Sequence, residues 1–232
     1  MDKNPKRIIV TGASRGIGLE LVKVLSGYGH HILALSRNPS GMQKLKSSRS
    51  NLHLLQAEIT QKDGLDDVEG CVDGQWGTFD VLIHNAGALL HKPFDQTTTD
   101  DFMKIYQVNV FAVAELTRRL LPYAASRAHV VAISSMGGIQ GSMKFAGLSA
   151  YSSSKGALIT LMELLAEEYK DRGISFNTLA LGAVQTEMLK EAFPDYQAPV
   201  TAAEMSQYIA DFALNGNIFY NGKVLQVSNS TP

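Results

Sequence analysis

The junction across residues 7–25 restricts this chain more than any other stretch. Arg7-Ile8-Ile9-Val10 is a short β-branched run, the form of a strand. It ends in Thr11-Gly12-Ala13-Ser14-Arg15-Gly16-Ile17-Gly18, and residues 19–25 continue at helical spacing. Strand, glycine-rich loop and helix in that order put a helix N-terminus beside a strand tip. Glycines at such a junction have separate jobs: a tight turn, a close backbone approach to a phosphate, and close packing of helix on strand. The free N–H groups of the helix start, among Gly12, Ser14, Arg15, Gly16, Ile17 and Gly18, would then meet a pyrophosphate. The spacing G-x-x-x-G-x-G departs from the G-x-G-x-x-G fingerprint, and the trio alone is also compatible with an unliganded turn.

The same alternation runs to the end of the chain. Strand-like runs at 31–35, 52–56, 79–84, 129–133, 174–180 and 222–227 are separated by helical patterns. This predicts an α/β fold, a doubly wound parallel sheet of about seven strands with helices on both faces. A length of 232 residues suits one such domain over 1–232. The segment 61–76, with Gly64, Gly70 and Gly74, reads as a weak helix that frays. Residues 99–126 read as one long helix opened by Thr99-Asp100-Asp101 and kinked or broken at Gln107-Val108-Asn109-Val110, whereas 136–149 read as a loop. Residues 188–200 carry two prolines with Phe193 and Tyr196 and read as a lid or pocket wall. Thr201-Ala202-Ala203-Glu204 opens a last helix with a capping box.

Net charge is −1 with scattered basic residues, which leaves no electrostatic footprint for nucleic acid. The single cysteine, Cys71, excludes an internal disulfide framework, and the six histidines form no H-x-x-x-H pair, so no metal site is expected. Met1-Asp2-Lys3-Asn4-Pro5-Lys6-Arg7 leads into an apolar run too short for a signal segment or a membrane span. A cytoplasmic protein with no membrane partner is the default expectation.

Candidate chemistry gathers on Tyr151-Ser152-Ser153-Ser154-Lys155. If 150–171 is a helix, Tyr151 and Lys155 share a face with Cβ atoms about 5–6 Å apart. A phenol has a pKa of about 10, and a nearby positive charge lowers it by favouring the phenolate. Such a tyrosine can exchange a proton with a carbonyl or alcohol oxygen. Ser135, at a strand tip, would hold the same oxygen by its hydroxyl. Taken alone, Y-x-x-x-K is also a common surface pair. Ser36-Arg37 ends the second strand, where the adenosine ribose of a dinucleotide would lie; an acid there takes the 2′-hydroxyl and an arginine a 2′-phosphate. Glu58-Ile59 at the third strand tip would reach the adenine, and Asn85-Ala86-Gly87 follow the fourth strand. Asn109 could equally be a polar residue satisfied by local backbone.

Taken together, Thr11-Gly12-x-x-x-Gly16-x-Gly18, Asn85-Ala86-Gly87, Asn109, Ser135 and Tyr151-x-x-x-Lys155, with 182–186 behind them, resemble the short-chain dehydrogenase/reductase family over residues 7 to about 227. The resemblance implies NAD(P)(H) over the strand tips. It makes Tyr151 the acid in reduction or the base in oxidation. It has Lys155 lower the tyrosine pKa and hold the nicotinamide ribose, and Ser135 position the substrate oxygen. Asn109 would hold a water that passes protons to Lys155, and Gly182, Val184 and Thr186 would join the cofactor site. Three departures stand out: His84 where the family usually has Asn, Leu181 before Gly182 where it has Pro, and Glu58 where Asp is common. The second allows a less rigid backbone around the nicotinamide.

The leading function is an NADPH-dependent carbonyl reductase. Its rivals are a cofactor-binding sensor without turnover and, nearer in chemistry, a sugar epimerase or dehydratase, for which too little chain follows Thr186. Leu89, Leu90, His91, Met136, Met143, Phe145, Met188, Phe193 and Tyr196 are candidate walls for a small-molecule substrate, or else ordinary core. Arg15 and Arg37 would meet a 2′-phosphate with no carboxylate beside them, for about 2–4 kcal/mol and an NADPH preference of about 30- to 10³-fold. Family members commonly pair through the helices that here span 110–126 and 152–171. A homodimer or homotetramer is therefore expected, with Leu158, Leu161 and Leu165 as the contact stripe, unless that stripe packs on the sheet.

Overall fold

The computed structural model describes residues 4–228; residues 1–3, where the N-terminal stretch begins, and 229–232, the end of the unit expected over 1–232, lie outside the described residues. The chain runs β1 (Arg7–Thr11), α1 (Gly16–Gly27), β2 (His31–Ser36), α2 (Gln43–Ser47), β3 (Leu52–Gln56), α3 (Lys62–Gln75), β4 (Phe79–His84), α4 (Thr99–Tyr106), α5 (Ala112–Leu120) and β5 (Ala124–Ser135). It continues with α6 (Ser149–Glu168), β6 (Ser175–Leu181), β7 (Val184–Gln185), α7 (Glu187–Ala192), β8 (Val200–Thr201), α8 (Ala202–Asn215) and β9 (Val224–Val227). Seven strands form one parallel sheet in the order β3-β2-β1-β4-β5-β6-β9, and β7 pairs with β8 apart from it. Strand order reverses between β1 and β4, which opens a crevice at the carboxyl ends of the strands.

Alternation along the strands builds two cores. Ile9, Leu33 and Leu35 point to one face and pack with Leu65, Val68 and Val72 of α3, Val113 and Leu116 of α5, and Leu158 and Met162 of α6. Their neighbours Ile8, Val10, Ile32 and Ala34 point to the other and meet Leu21, Val22 and Leu25 of α1 with Ile209, Ala210 and Ala213 of α8. Each fully buried Leu or Ile contributes about 1.5–3 kcal/mol of transfer free energy. Both faces are covered, as the near-continuous apolar strands require.

Local departures from the sequence reading have physical causes. Residues 61–76 do not fray: α3 runs from Lys62 to Gln75 and buries Gly64, Leu65, Val68 and Val72. A Cβ on Gly64 would stand 2.3 Å from the Glu58 carbonyl oxygen, so the glycine that weakens the helix signal is what lets α3 close on the β3 tip. The long helix over 99–126 is broken by a π-helical turn at Gln107–Phe111 and ends at Leu120, because β5 begins at Ala124. Its N-cap is Thr98 rather than Thr99; Thr98 and Asp101 form a reciprocal capping box. The helix expected over 150–171 is α6, Ser149–Glu168, with a 3-10 turn at Lys170–Arg172. The box at Thr201 and Glu204 is formed as expected.

Candidate active site

At the β1–α1 junction the Ala13 N–H donates to the Leu35 carbonyl at 3.0 Å, while the start of α1 is left uncapped by side chains. Arg15 is the N-cap of α1 without a side-chain cap, and no acid sits in the first turn. Gly12 takes a left-handed φ of 66°, and a Cβ on Gly18 would stand 2.2 Å from the Gly12 carbonyl oxygen, so helix and loop are in direct backbone contact. Asn85 and Ala86 buttress this loop. Both donate their N–H to Thr11 Oγ1, at 3.1 and 2.9 Å, and Asn85 Nδ2 donates to the Thr11 and Gly12 carbonyls at 3.1 Å each. The Asn85 side chain thus shapes the loop, a role the spacing alone did not disclose.

On the other side of the crevice stand Ser135, Tyr151 and Lys155. Ser135 ends β5, and its hydroxyl accepts from Gly137 N at 3.2 Å and stands beside the Tyr151 phenol. Ser134 Oγ donates to the Lys155 carbonyl at 3.0 Å, which clamps β5 to α6. Lys155, 4 % exposed, donates from Nζ to the Ile133 carbonyl at 2.8 Å. Burial pulls its pKa down to about 8. Burial pushes the Tyr151 phenol up, against a smaller downward pull from Ser135. The Lys155 ammonium stands 5.8 Å from the Tyr151 ring centroid and faces the Ile133 carbonyl.

Asn109 lies in the π-helical turn and is fully buried. Its amide donates to the Ala88 carbonyl and Ser154 Oγ, both at 2.9 Å, and its oxygen accepts from Ala88 N at 2.8 Å. The side chain is therefore satisfied by protein, but by the loop segment after β4 and by α6 rather than by local backbone. A Cβ on Gly87 would stand 3.5 Å from both Asn109 Oδ1 and Lys155 Nζ, so these residues converge.

The β2 tip differs from expectation. The Ser36 hydroxyl is buried and has no partner among the described residues. Arg37 is not free of carboxylate: its Nε lies 3.7 Å from Glu58 Oε2, while Glu58 Oε1 accepts from Thr60 N and Oγ1. Arg15 is paired as well, with Glu191 of α7 at 2.7 Å. Sequence reading missed Glu191, 176 positions from its partner, because nothing local marks that pairing. Ile59 is 7 % exposed and packs in the core. Thr186 caps α7, and its methyl would lie 3.4 Å from a Cβ on Gly16; Val184, in β7, is buried in the core on that face. Open N–H groups at α1, an orphaned hydroxyl at Ser36 and arginines at both edges suit a phosphorylated dinucleotide.

Two sequence departures resolve simply. His84, 1 % exposed, holds Thr117 Oγ1 of α5 through Nε2 at 2.8 Å, and burial lowers its pKa to about 3. Leu181 stands in register between Ser135 and Val227, and Gly182 N donates to the Val227 carbonyl at 2.9 Å. The candidate wall residues Leu89, Leu90, Met136, Met188 and Phe193 are partly buried yet belong to neither sheet core. Met143, Phe145 and Tyr196 are about half exposed, at 52, 53 and 49 %. The His91 and Phe193 rings lie 4.6 Å apart and join the segment after β4 to the strap around α7. Among the described residues no His, Cys, Asp and Glu cluster is placed to hold a metal, and no helix is long and apolar enough to cross a membrane.

Fold and crevice together define the class of dinucleotide-dependent α/β oxidoreductases. Within that class the chain belongs to the short chain dehydrogenase family, whose model matches residues 6–197. Members of this family act on CH–OH and C=O groups. The chain is 29 % identical to gluconate 5-dehydrogenase of Gluconobacter oxydans, over 95 % of this chain and 92 % of that protein. It is 25 % identical to the 3-oxoacyl-(acyl-carrier-protein) reductase of Escherichia coli, over 98 % of each. Among solved structures it superposes on ElxO with NADP bound at a TM-score of 0.84 and 25 % identity, covering 97 % of both chains. A short chain dehydrogenase of Burkholderia cenocepacia shares the fold at a TM-score of 0.87.

Proposed function

We propose that this protein is an NADP(H)-dependent carbonyl reductase or alcohol dehydrogenase, in which one unit over 1–232 holds both cofactor and substrate. The observation that carries the reading is the convergence of Ser135, Tyr151 and Lys155 at the tips of the central strands, opposite the glycine loop. Bound nicotinamide supplies the hydride. Tyr151 Oη exchanges the proton with the substrate oxygen, and the Ser135 hydroxyl holds that oxygen. Burial keeps the phenol protonated at neutral pH, which suits the donor role in reduction. Lys155 keeps its ammonium close to the ring and to Asn109, which orders the turn around it.

NADP(H) rather than NAD(H) is supported by Arg37 and Ser36 at the β2 tip and by the similarity to ElxO, which has been solved with NADP. The apolar rim of Met143, Phe145, Phe193 and Tyr196 favours a small carbonyl compound with an apolar body. We place the protein in the cytoplasm as a homodimer or homotetramer. The experiment that tests the function is NADPH oxidation against a panel of aldehydes, ketones, quinones and diketones. Turnover with at least one class is expected; NADPH binding without turnover on any of them would favour a sensor.

A further inference from the structure

The two arginines expected to meet the adenosine end are held in different ways. Glu58 is anchored by Thr60 and stands 3.7 Å from Arg37 Nε, beyond hydrogen-bond reach, so the Arg37 guanidinium, 80 % exposed, keeps its donors available. Arg15 donates from Nη1 to Glu191 Oε1 at 2.7 Å, a full ion pair between the glycine loop and the strap that carries α7. A carboxylate and a 2′-phosphate that seek the same guanidinium exclude each other, since two anions at one cation repel. A ribose with a free 2′-hydroxyl makes no such demand.

We infer that Glu191 is a selectivity residue: it competes with the 2′-phosphate for Arg15 and holds down the preference for NADP(H) over NAD(H). The inference rests on the NADP(H) reading above. Glu191 lies on the strap beside the expected substrate entrance, so a residue outside the dinucleotide fold proper sets which dinucleotide is taken. The competition is modest, because both side chains are more than half exposed, at 51 and 64 %, and such pairs are screened.

Equilibrium titration of NADP⁺ and NAD⁺, followed by calorimetry, into the parent, Glu191→Gln, Arg15→Ala and the double variant tests this. Glu191→Gln should tighten NADP⁺ about three- to fivefold and leave NAD⁺ within about twofold. Arg15→Ala should weaken NADP⁺ and abolish the effect of Glu191→Gln in the double variant. NADP⁺ affinity unmoved by Glu191→Gln, or a tightening that persists without Arg15, would overturn the inference alone. Failure of the parent to bind either dinucleotide would overturn the cofactor reading and this inference with it.

Discussion

The Lys155 ammonium lies 5.8 Å from the centroid of the Tyr151 ring and donates to the Ile133 carbonyl at 2.8 Å. Four-residue spacing on α6 places both side chains on one face, but burial acts on them in opposite directions, raising the phenol and lowering the amine to about 8. The pair is thus an acid held protonated beside a cation whose charge burial makes costly.

That cost predicts the behaviour of Lys155→Met. The folded pKa of about 8 lies below the ordinary lysine value of 10.5, so the parent gains stability as pH rises through that window and carries the full penalty below it. At pH 7 the variant should be about 1–3 kcal/mol more stable to urea than the parent, while turnover and cofactor affinity both fall. A variant less stable than the parent at pH 7 would contradict the penalty, and unchanged affinity would remove the shared role.

Two buried histidines make the fold sensitive to acid. Burial lowers His84 to about 3 and His129 to about 4, and the Ala213 carbonyl, which holds His129 Nδ1, offsets little of that. Both depressed pKa values mean stability that is present above 6.5 and lost as pH falls toward 4. Between pH 6.5 and 5 each should remove about 2 kcal/mol. His84→Asn should cut the loss by about half in urea titrations at the two pH values; an undiminished loss would clear His84 of it.

How far the sequence disclosed this can be judged from particular residues. Strand runs such as Ile8 to Val10 and the Thr201 box were legible because their signals are local: alternation on a sheet, and a cap three residues from its partner. Gly64 misled because its reason is the Glu58 carbonyl just past β3, and Leu158 because one apolar stripe serves sheet or partner alike; it is 1 % exposed and packs on the sheet. Tyr151, Lys155 and Ser135 were legible as a set, whereas the grip of Ser154 on Asn109 and of Glu191 on Arg15 joins distant segments and leaves no local trace.

Cofactor choice should be milder than two free arginines would give. With Glu191 on Arg15 and Glu58 near Arg37, about 1.5 kcal/mol remains, or about a tenfold preference in kcat/KM for NADPH over NADH. Arg37→Asp should reverse it, since an acid accepts from the ribose hydroxyls and repels a phosphate. Equal kcat/KM with both cofactors in the parent, or a ratio unmoved by the substitution, would show the β2 tip has been misread.

Association should run through the outer faces of α4, α5 and α6. Leu158 is spent on the sheet, but Met103, Phe111 and Leu164 are 54, 43 and 63 % exposed. Light scattering at micromolar concentration should give a dimer or tetramer, and Leu164→Glu should lower that mass. A monomeric parent would contradict the assembly.

The central claim is that Tyr151 moves the proton. With the best carbonyl substrate from the panel, Tyr151→Phe should keep NADPH affinity within a few-fold and lower kcat by at least about 10²-fold, the scale of lost general acid catalysis. A Tyr151→Phe protein that turns over at nearly the parent rate would contradict it.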